Sequence, residues 1–215
     1  MTFGWAQRPN SGWIEVVCGS MFSGKTEELI RRLKLAAIAR QRVQIFKSAR
    51  DDRYGEKEIV SHSDNRLHSD LVHRAEDILA KLHPKTQVVG IDEAQFLGEG
   101  LVRVCQMLAD RGARVIVAGL DQDYRGEPFE PMPALLAVAE SITKLNAVCV
   151  TCGGPANRTQ RLTAEAGRVL VGAAESYEAR CRRCHEPNGN PQIDFLPRPM
   201  AVKVKHTAEP DKHQG

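Results

Sequence analysis

The chain predicts an α/β fold: a parallel β-sheet flanked by helices, with a small metal-binding appendage toward its C-terminal end. Three observations predict it. Short β-branched runs alternate with helix-periodic segments from residue 13 to residue 145. A glycine-rich loop, Gly19-Ser20-Met21-Phe22-Ser23-Gly24-Lys25-Thr26, joins the first such run to the first helical segment. Two C-x-x-C pairs, Cys149/Cys152 and Cys181/Cys184, follow the last run. The 215 residues, 42% hydrophobic and 27% charged, suffice for one core and a small addition. A net charge of +3 is too slight to argue for a nucleic-acid partner. The first residues lack an apolar secretory core, and no apolar run approaches bilayer length. The expectation is a cytoplasmic protein with no membrane partner.

The elements follow in order. Ile14-Glu15-Val16-Val17-Cys18 reads as a strand ending at Gly19. Leu29, Ile30, Leu33 and Ala37 recur at helical spacing behind the loop. Val43–Phe46 is the second strand. Residues 50–70 are polar, with Ile59-Val60 the main apolar break, and read as a loop with room for a hairpin. Ala75–Leu82 is a short helix stopped by Pro84. Val88–Asp92 is a third strand, and Leu101, Cys105 and Leu108 mark a helix closed by Gly112. Val115–Gly119, all apolar, is a strand buried on both faces. Pro133–Glu140 is the next helix and Ile142–Leu145 the fifth strand. The pattern sets an α/β domain at 13–146 behind an extension at 1–12, then a small cysteine-carrying domain at 147–186. The tail at 187–215, with four prolines before residue 200, is expected to be disordered.

The loop at 19–26 has the form G-x-x-x-x-G-K-[ST] in a strand–loop–helix setting. Its glycines let backbone N–H groups of Gly19, Ser20, Met21, Phe22, Ser23 and Gly24 turn toward phosphates, and the helix start adds a positive dipole end. Lys25 reaches the β- and γ-phosphates of a nucleotide, and Thr26 offers a magnesium ligand. The strand 88–92 ends in an acid and runs into Asp92-Glu93-Ala94-Gln95. Asp92 at a strand's carboxyl end suits magnesium, and Glu93 stands where a general base takes a proton from an attacking hydroxyl.

The two C-x-x-C pairs supply four thiolates for one zinc ion. Such a closed site is structural and staples the ends of the long loop 153–180. His185 follows Cys184 and is an alternative ligand; Cys184 is preferred because it completes the pair. Cys18 and Cys105 lie in apolar segments and read as core residues.

Taken together, these motifs resemble the thymidine kinases built from a RecA-like P-loop domain and a zinc-held lasso domain. The resemblance covers about residues 13–185. It is carried by the phosphate loop, F-K-S-A-R-D-D-R-Y at 46, S-H at 61, I-D-E-A-Q-F at 91, G-L-D-Q-D-Y at 119, A-E-S-I-T-K-L-N-A-V-C at 139 and V-G-A-A-E-S-Y at 171. It implies transfer of the ATP γ-phosphate to the 5′-hydroxyl of thymidine, with Glu93 as catalytic base. It implies ATP contacts from the phosphate loop, Asp92, Glu93, Ala94 and Gln95, and an acid and a base, Asp51 and Arg53, near the transferring phosphate. It implies a thymine pocket formed by Met21, Tyr124 (often phenylalanine in the family), Phe129, Thr159 and Tyr177. The lasso segment Arg168, Val169, Leu170, Val171 and Gly172 would hold the base through backbone groups. A homotetramer and feedback inhibition by dTTP are also implied. The chain departs from the family pattern at Ala173, where a second glycine is usual, at Ser48, where proline is common, and in S-H-S-D-N at 61.

Two other classes compete. D-E-A-Q also resembles the acid motif of nucleic-acid-dependent ATPases, but such motors need a second RecA-like domain, which this length does not hold. Arg180, Arg182 and Arg183 around a C-x-x-C pair are either phosphate contacts of a binding module or a solvated basic face. The expectation is that no nucleic acid is bound.

Overall fold

The computed structural model describes residues 12–50, 58–60, 66–163 and 176–187, with 58–60 and 66 as backbone alone. The expected extension (save Gly12), the C-terminal tail from 188, Asp51, Arg53 and the segment Arg168–Ala173 lie outside the described residues.

The α/β part contains β1 (Trp13–Gly19), α1 (Lys25–Ile38), β2 (Val43–Ser48), the hairpin β3 (Glu58–Val60) and β4 (Arg66–His68), and β5 (Asp70–Val72). It continues with α2 (Glu76–Lys81), β6 (Val88–Asp92), a 3-10 turn (Ala94–Phe96), α3 (Gly100–Asp110), β7 (Arg114–Gly119), α4 (Met132–Val138) and β8 (Ser141–Leu145). Six strands form one sheet in the order β5-β2-β6-β7-β1-β8, every pair parallel. Parallel neighbours need crossover connections, and helices supply them except between β2 and β5, where the connecting segment carries the β3–β4 hairpin. Period-two alternation sends successive strand side chains to opposite faces. Val17, Ile45, Val88, Ile116 and Ala118 meet Leu29, Ile30, Leu33 and Ala36 of α1. Val16, Cys18, Val89, Ile91, Val115 and Val117 meet Leu101, Val104, Cys105, Leu108, Met132 and Leu135 on the other face. Cys18 and Cys105 are therefore core residues; burial pushes their thiols up to about 11 and about 12, with Asp121 adding to the rise at Cys18.

The sequence expectation of five sheet strands misses β5. It has three residues, Asp70–Val72, too few for a period to register. The hairpin expected within 50–70 is present as β3–β4. The helix expected at 133–140 runs from Met132 to Val138, because Ala139 is already extended. Glu140 N–H then donates to the Ile14 carbonyl, and the Glu140 carboxylate accepts from Ile14 N–H at 2.6 Å, which aligns β8 with β1.

One polar cluster sits within the sheet. Glu15, 7% exposed, accepts from Arg114 Nε at 2.6 Å, Trp13 Nε1 at 2.7 Å and Arg32 Nη1 at 2.7 Å. Arg32 also donates to Thr143 of β8 at 2.8 Å, so one carboxylate ties α1, β1, β7 and β8. Burial works to raise the Glu15 carboxyl, and the hydrogen bond and charge of Arg114, the Trp13 N–H and the charge of Arg32 outweigh it and hold it below the ordinary range. Its stabilisation is complete above the unfolded value of about pH 4.3 and is lost as pH falls through the lowered folded value. Glu15→Gln leaves the Arg114 guanidinium without its carboxylate and Arg32 with Glu28 alone, and is expected to cost about 2–4 kcal/mol, read as a lower midpoint in denaturant at neutral pH.

The cysteine-carrying part contains β9 (Ala147–Val148) paired antiparallel with β10 (Pro155–Ala156), and β11 (Arg158–Arg161) paired antiparallel with β12 (Tyr177–Arg180). Its apolar core is small, with Ala147, Cys149, Ala156 and Ala179 at its centre. Among the described residues no helix is long and apolar enough to cross a membrane.

Candidate active site and metal centre

The phosphate loop leaves the carboxyl end of β1, where a parallel sheet presents its ligand crevice. Gly24, at the helix N-cap, has φ 83°, a left-handed conformation that a Cβ disfavours. Ser23 Oγ donates to the Ser20 carbonyl at 2.8 Å and closes the turn. Lys25 Nζ donates to the same carbonyl at 2.8 Å, so its cation lies across the loop. A cleft opens here, lined by Met21, Phe22, Gly24, Lys25, Thr26, Glu27, Glu93 and Leu120.

The sheet order brings β6 within one strand of β1, and the acids come with it. Thr26 Oγ1 donates to Asp92 Oδ2 at 3.2 Å, and Glu93 N–H donates to Asp92 Oδ1 at 3.0 Å. Asp92 is 4% exposed. Burial, then the neighbouring Glu93 carboxylate, push its carboxyl up to about 7, against the Glu93 N–H and the cations of Lys47 and Lys25. A hydroxyl beside a buried carboxylate that is short of positive charge is a donor set that suits a hard divalent cation such as magnesium. Glu93 itself has φ 52° and ψ 43°, a left-handed conformation costing a non-glycine residue about 1–3 kcal/mol. Ala94 and Gln95 are buried behind it in the 3-10 turn.

The cysteine-carrying part reaches into the loop. Ser20 Oγ donates to the Ala156 carbonyl at 3.3 Å, and Met21 N–H donates to Thr159 Oγ1 at 3.1 Å. The residues expected around a nucleobase fall in three groups. Met21 and Thr159 share that bond. Tyr124 and Tyr177, each 8% exposed, are joined by Arg161, whose guanidinium lies 3.7 Å from the Tyr124 ring centroid and donates to Tyr177 Oη at 3.1 Å. Phe129 meets Phe96 edge to face at 6.1 Å. The structure adds Leu120, Phe96 and buried Lys47 to the residues foreseen from sequence. Phe96 directly follows Asp92-Glu93-Ala94-Gln95, and Leu120 directly follows the strand at Gly119, so both were legible as site neighbours.

The four paired cysteines converge, and their sulfurs all lie within 4.8 Å of one another. Cys152 Sγ and Cys181 Sγ are 3.7 Å apart. Ligands 2.3 Å from a zinc ion at tetrahedral corners stand about 3.8 Å apart, so this sulfur set fits zinc. Burial opposes the Cys149 thiolate, yet backbone N–H groups of Cys181, Cys152 and Thr151 bring it down to about 6. The His185 alternative is not needed, because Cys184 completes the four-sulfur set, and His185 Nε2 donates to the Tyr124 carbonyl at 2.8 Å, bracing the 120–131 segment. Arg180 is engaged internally, with Glu178 at 2.5 Å and the Cys184 carbonyl at 3.0 Å, while Arg182 and Arg183 are exposed.

Residues 12–185 match the family model described as thymidine kinase. A thymidine kinase of Rhodothermus sp. is 64% identical over 176 residues, 82% of each chain. A thymidine kinase of Bdellovibrio bacteriovorus is 56% identical over 193 residues, 89% of this chain and 95% of that one.

Proposed function

The chain belongs to the thymidine kinase family, and from that premise we propose how its residues carry phosphate from ATP to thymidine. The reading rests on one observation above all. Lys25 and Thr26 of the phosphate loop and Glu93, just after β6, line one cleft, and Asp92 at the end of β6 accepts from Thr26 beside it, although 66 residues separate Thr26 from Asp92.

The phosphate loop, Gly19–Thr26, receives the ATP phosphates on its backbone N–H groups, with the Lys25 cation moving from the Ser20 carbonyl to the β- and γ-phosphates. Thr26 and Asp92 would hold magnesium, which when bound offsets charge on the phosphate oxygens. Glu93 accepts the proton of the thymidine 5′-hydroxyl. That oxygen bonds to the γ-phosphorus as the bridging bond to the β-phosphate breaks, giving dTMP and ADP. Asp51 and Arg53 act near the transferring phosphate, and Arg168, Val169, Leu170, Val171 and Gly172 present backbone groups to the thymine. Extended backbone suits this task, because a wrong base leaves a donor or acceptor unpaired. Met21, Tyr124, Phe129, Thr159 and Tyr177 shape the rest of the pocket.

Residues 13–146 form the ATP-binding unit and 147–186 the zinc-held unit in this reading. Zinc on Cys149, Cys152, Cys181 and Cys184 is structural, because four thiolates leave no open position. The family resemblance further supports a homotetramer, inhibition by dTTP and a cytoplasmic location. The Thr159 hydroxyl couples the two units, since it accepts from Met21 N–H of the phosphate loop. Thr159→Val keeps shape but removes the acceptor, and is expected to raise KM for thymidine about ten-fold with kcat changed less. Initial rates across a thymidine series read it.

The whole reading is tested by kcat/KM for thymidine, deoxyuridine, deoxycytidine and deoxyadenosine with ATP and magnesium. Preference for thymidine by at least about 10²-fold over the last two is expected, since their base edges leave pocket groups unpaired. Equal use of all four would remove the proposed base recognition.

A further inference from the structure

We propose that Gln95 is the positioning residue for Glu93: its side-chain amide clamps the catalytic carboxylate to the exit of β7. The proposal rests on the reading of Glu93 as general base. The sequence resemblance placed Gln95 among ATP contacts; its side-chain amide meets Glu93 and Leu120, which both line the phosphate cleft. Gln95 is 4% exposed. Its Nε2 donates to Glu93 Oε2 at 2.5 Å, and its Oε1 accepts from Leu120 N–H at 3.0 Å. These two bonds fix which way the amide points, because the oxygen cannot face a carboxylate and the NH2 cannot face an N–H.

Three features make this a clamp rather than incidental packing. Glu93 occupies a left-handed backbone conformation, so its side chain leaves the chain in a direction that needs restraint. The other end of the clamp is the first residue after β7, and Leu120 lines the same cleft as Glu93, Lys25 and Thr26. The strand end is also cut away for it. A Cβ on Gly119 would stand 2.9 Å from Gln95 Oε1 and 2.7 Å from Met132 Sδ, so a side chain there would push the amide off Leu120. Glycine at 119 thus follows from the clamp, together with close packing of Met132. Geometry of this kind matters for a base, since a misplacement of about 1 Å costs on the order of 10²-fold in rate. The clamp also links the base to the 120–131 segment that carries Tyr124 and Phe129, so the base and the nucleoside pocket share one frame.

The test is a double-mutant cycle on the full-length, zinc-loaded enzyme, using ATP, magnesium and thymidine. Gln95→Met keeps length and volume and removes both hydrogen bonds. It is expected to lower kcat about ten- to a hundred-fold, with KM for ATP and thymidine each within about three-fold of wild type. In a Glu93→Gln background the same change is expected to add less than about two-fold, because there is no carboxylate left to position. Gly119→Ala, which retains every hydrogen-bonding group, is expected to lower kcat in the same direction and to be equally silent in the Glu93→Gln background. A Gln95→Met enzyme with wild-type kcat, or one whose loss is undiminished in the Glu93→Gln background, would overturn the clamp. Near-wild-type turnover of Glu93→Gln alone would instead overturn the assignment of the base, and the two failures are read from separate corners of the cycle. If Gln95→Met does not fold, an undiminished wild-type kcat in Gly119→Ala would still overturn the proposal.

Discussion

Glu93→Gln is expected to lower kcat by about 10²- to 10⁴-fold while ATP affinity changes by less than about three-fold. The substitution keeps the side chain's shape and can still hydrogen-bond, so the cleft with Lys25, Thr26 and Leu120 persists. What is lost is the ability to take a proton from the 5′-hydroxyl in the transition state. An interaction made only there appears in kcat and not in ground-state binding. The residue is also held at a backbone cost, with φ 52°, in a position where a glycine would be cheaper. Single-turnover transfer at saturating ATP, beside equilibrium ATP binding, checks both halves of the expectation.

Zinc removal is expected to act through the cysteine-carrying part that braces the phosphate loop. The apolar core around Cys149 consists largely of alanines, Ala147, Ala156 and Ala179, which bury too little area to hold two short hairpins together. Zinc held by the four cysteines would supply most of the local stability, since structural zinc sites are worth on the order of 10 kcal/mol. Its loss frees β9–β12, and with them the Ala156 and Thr159 contacts to Ser20 and Met21 and the His185 contact to Tyr124. Chelation, or Cys149→Ser, is expected to lower kcat/KM for thymidine by at least about 10²-fold, while ATP binding to the loop weakens by less than about ten-fold. Metal content beside activity checks it. Retention of thymidine turnover by zinc-free protein would refute the structural role. Zinc retention should also fall in acid, because protons compete for the four thiolates.

The parts of this molecule that repeat a local rule were readable in advance. β1, β6 and β7 announce themselves as apolar runs because both faces of each are covered. The phosphate loop and the cysteine pairs are contiguous motifs whose spacing is itself the chemistry. What was not readable depends on where distant segments meet. β5 has three residues and exists because β2 offers it an edge. The Glu15 cluster joins Trp13, Arg32, Arg114 and Thr143, which share no local pattern. Gln95 reads as a contact for ATP by its place in a motif, and only the sheet order, which sets β7 beside β6, turns its amide toward Leu120. His185 reads as a candidate metal ligand because it follows Cys184, and the convergence of four cysteine sulfurs, Cys184 among them, favours the cysteine.

The most direct measurement is the stoichiometry of the reaction: dTMP formed per ADP released by the purified, zinc-loaded chain, with thymidine as the only nucleoside. If Glu93 faces a thymidine 5′-oxygen seated against the γ-phosphate, about one dTMP should appear for each ADP, and added DNA or RNA should not change the rate. ADP release without dTMP, or ATP hydrolysis stimulated by nucleic acid, would contradict a site built to pass phosphate to thymidine.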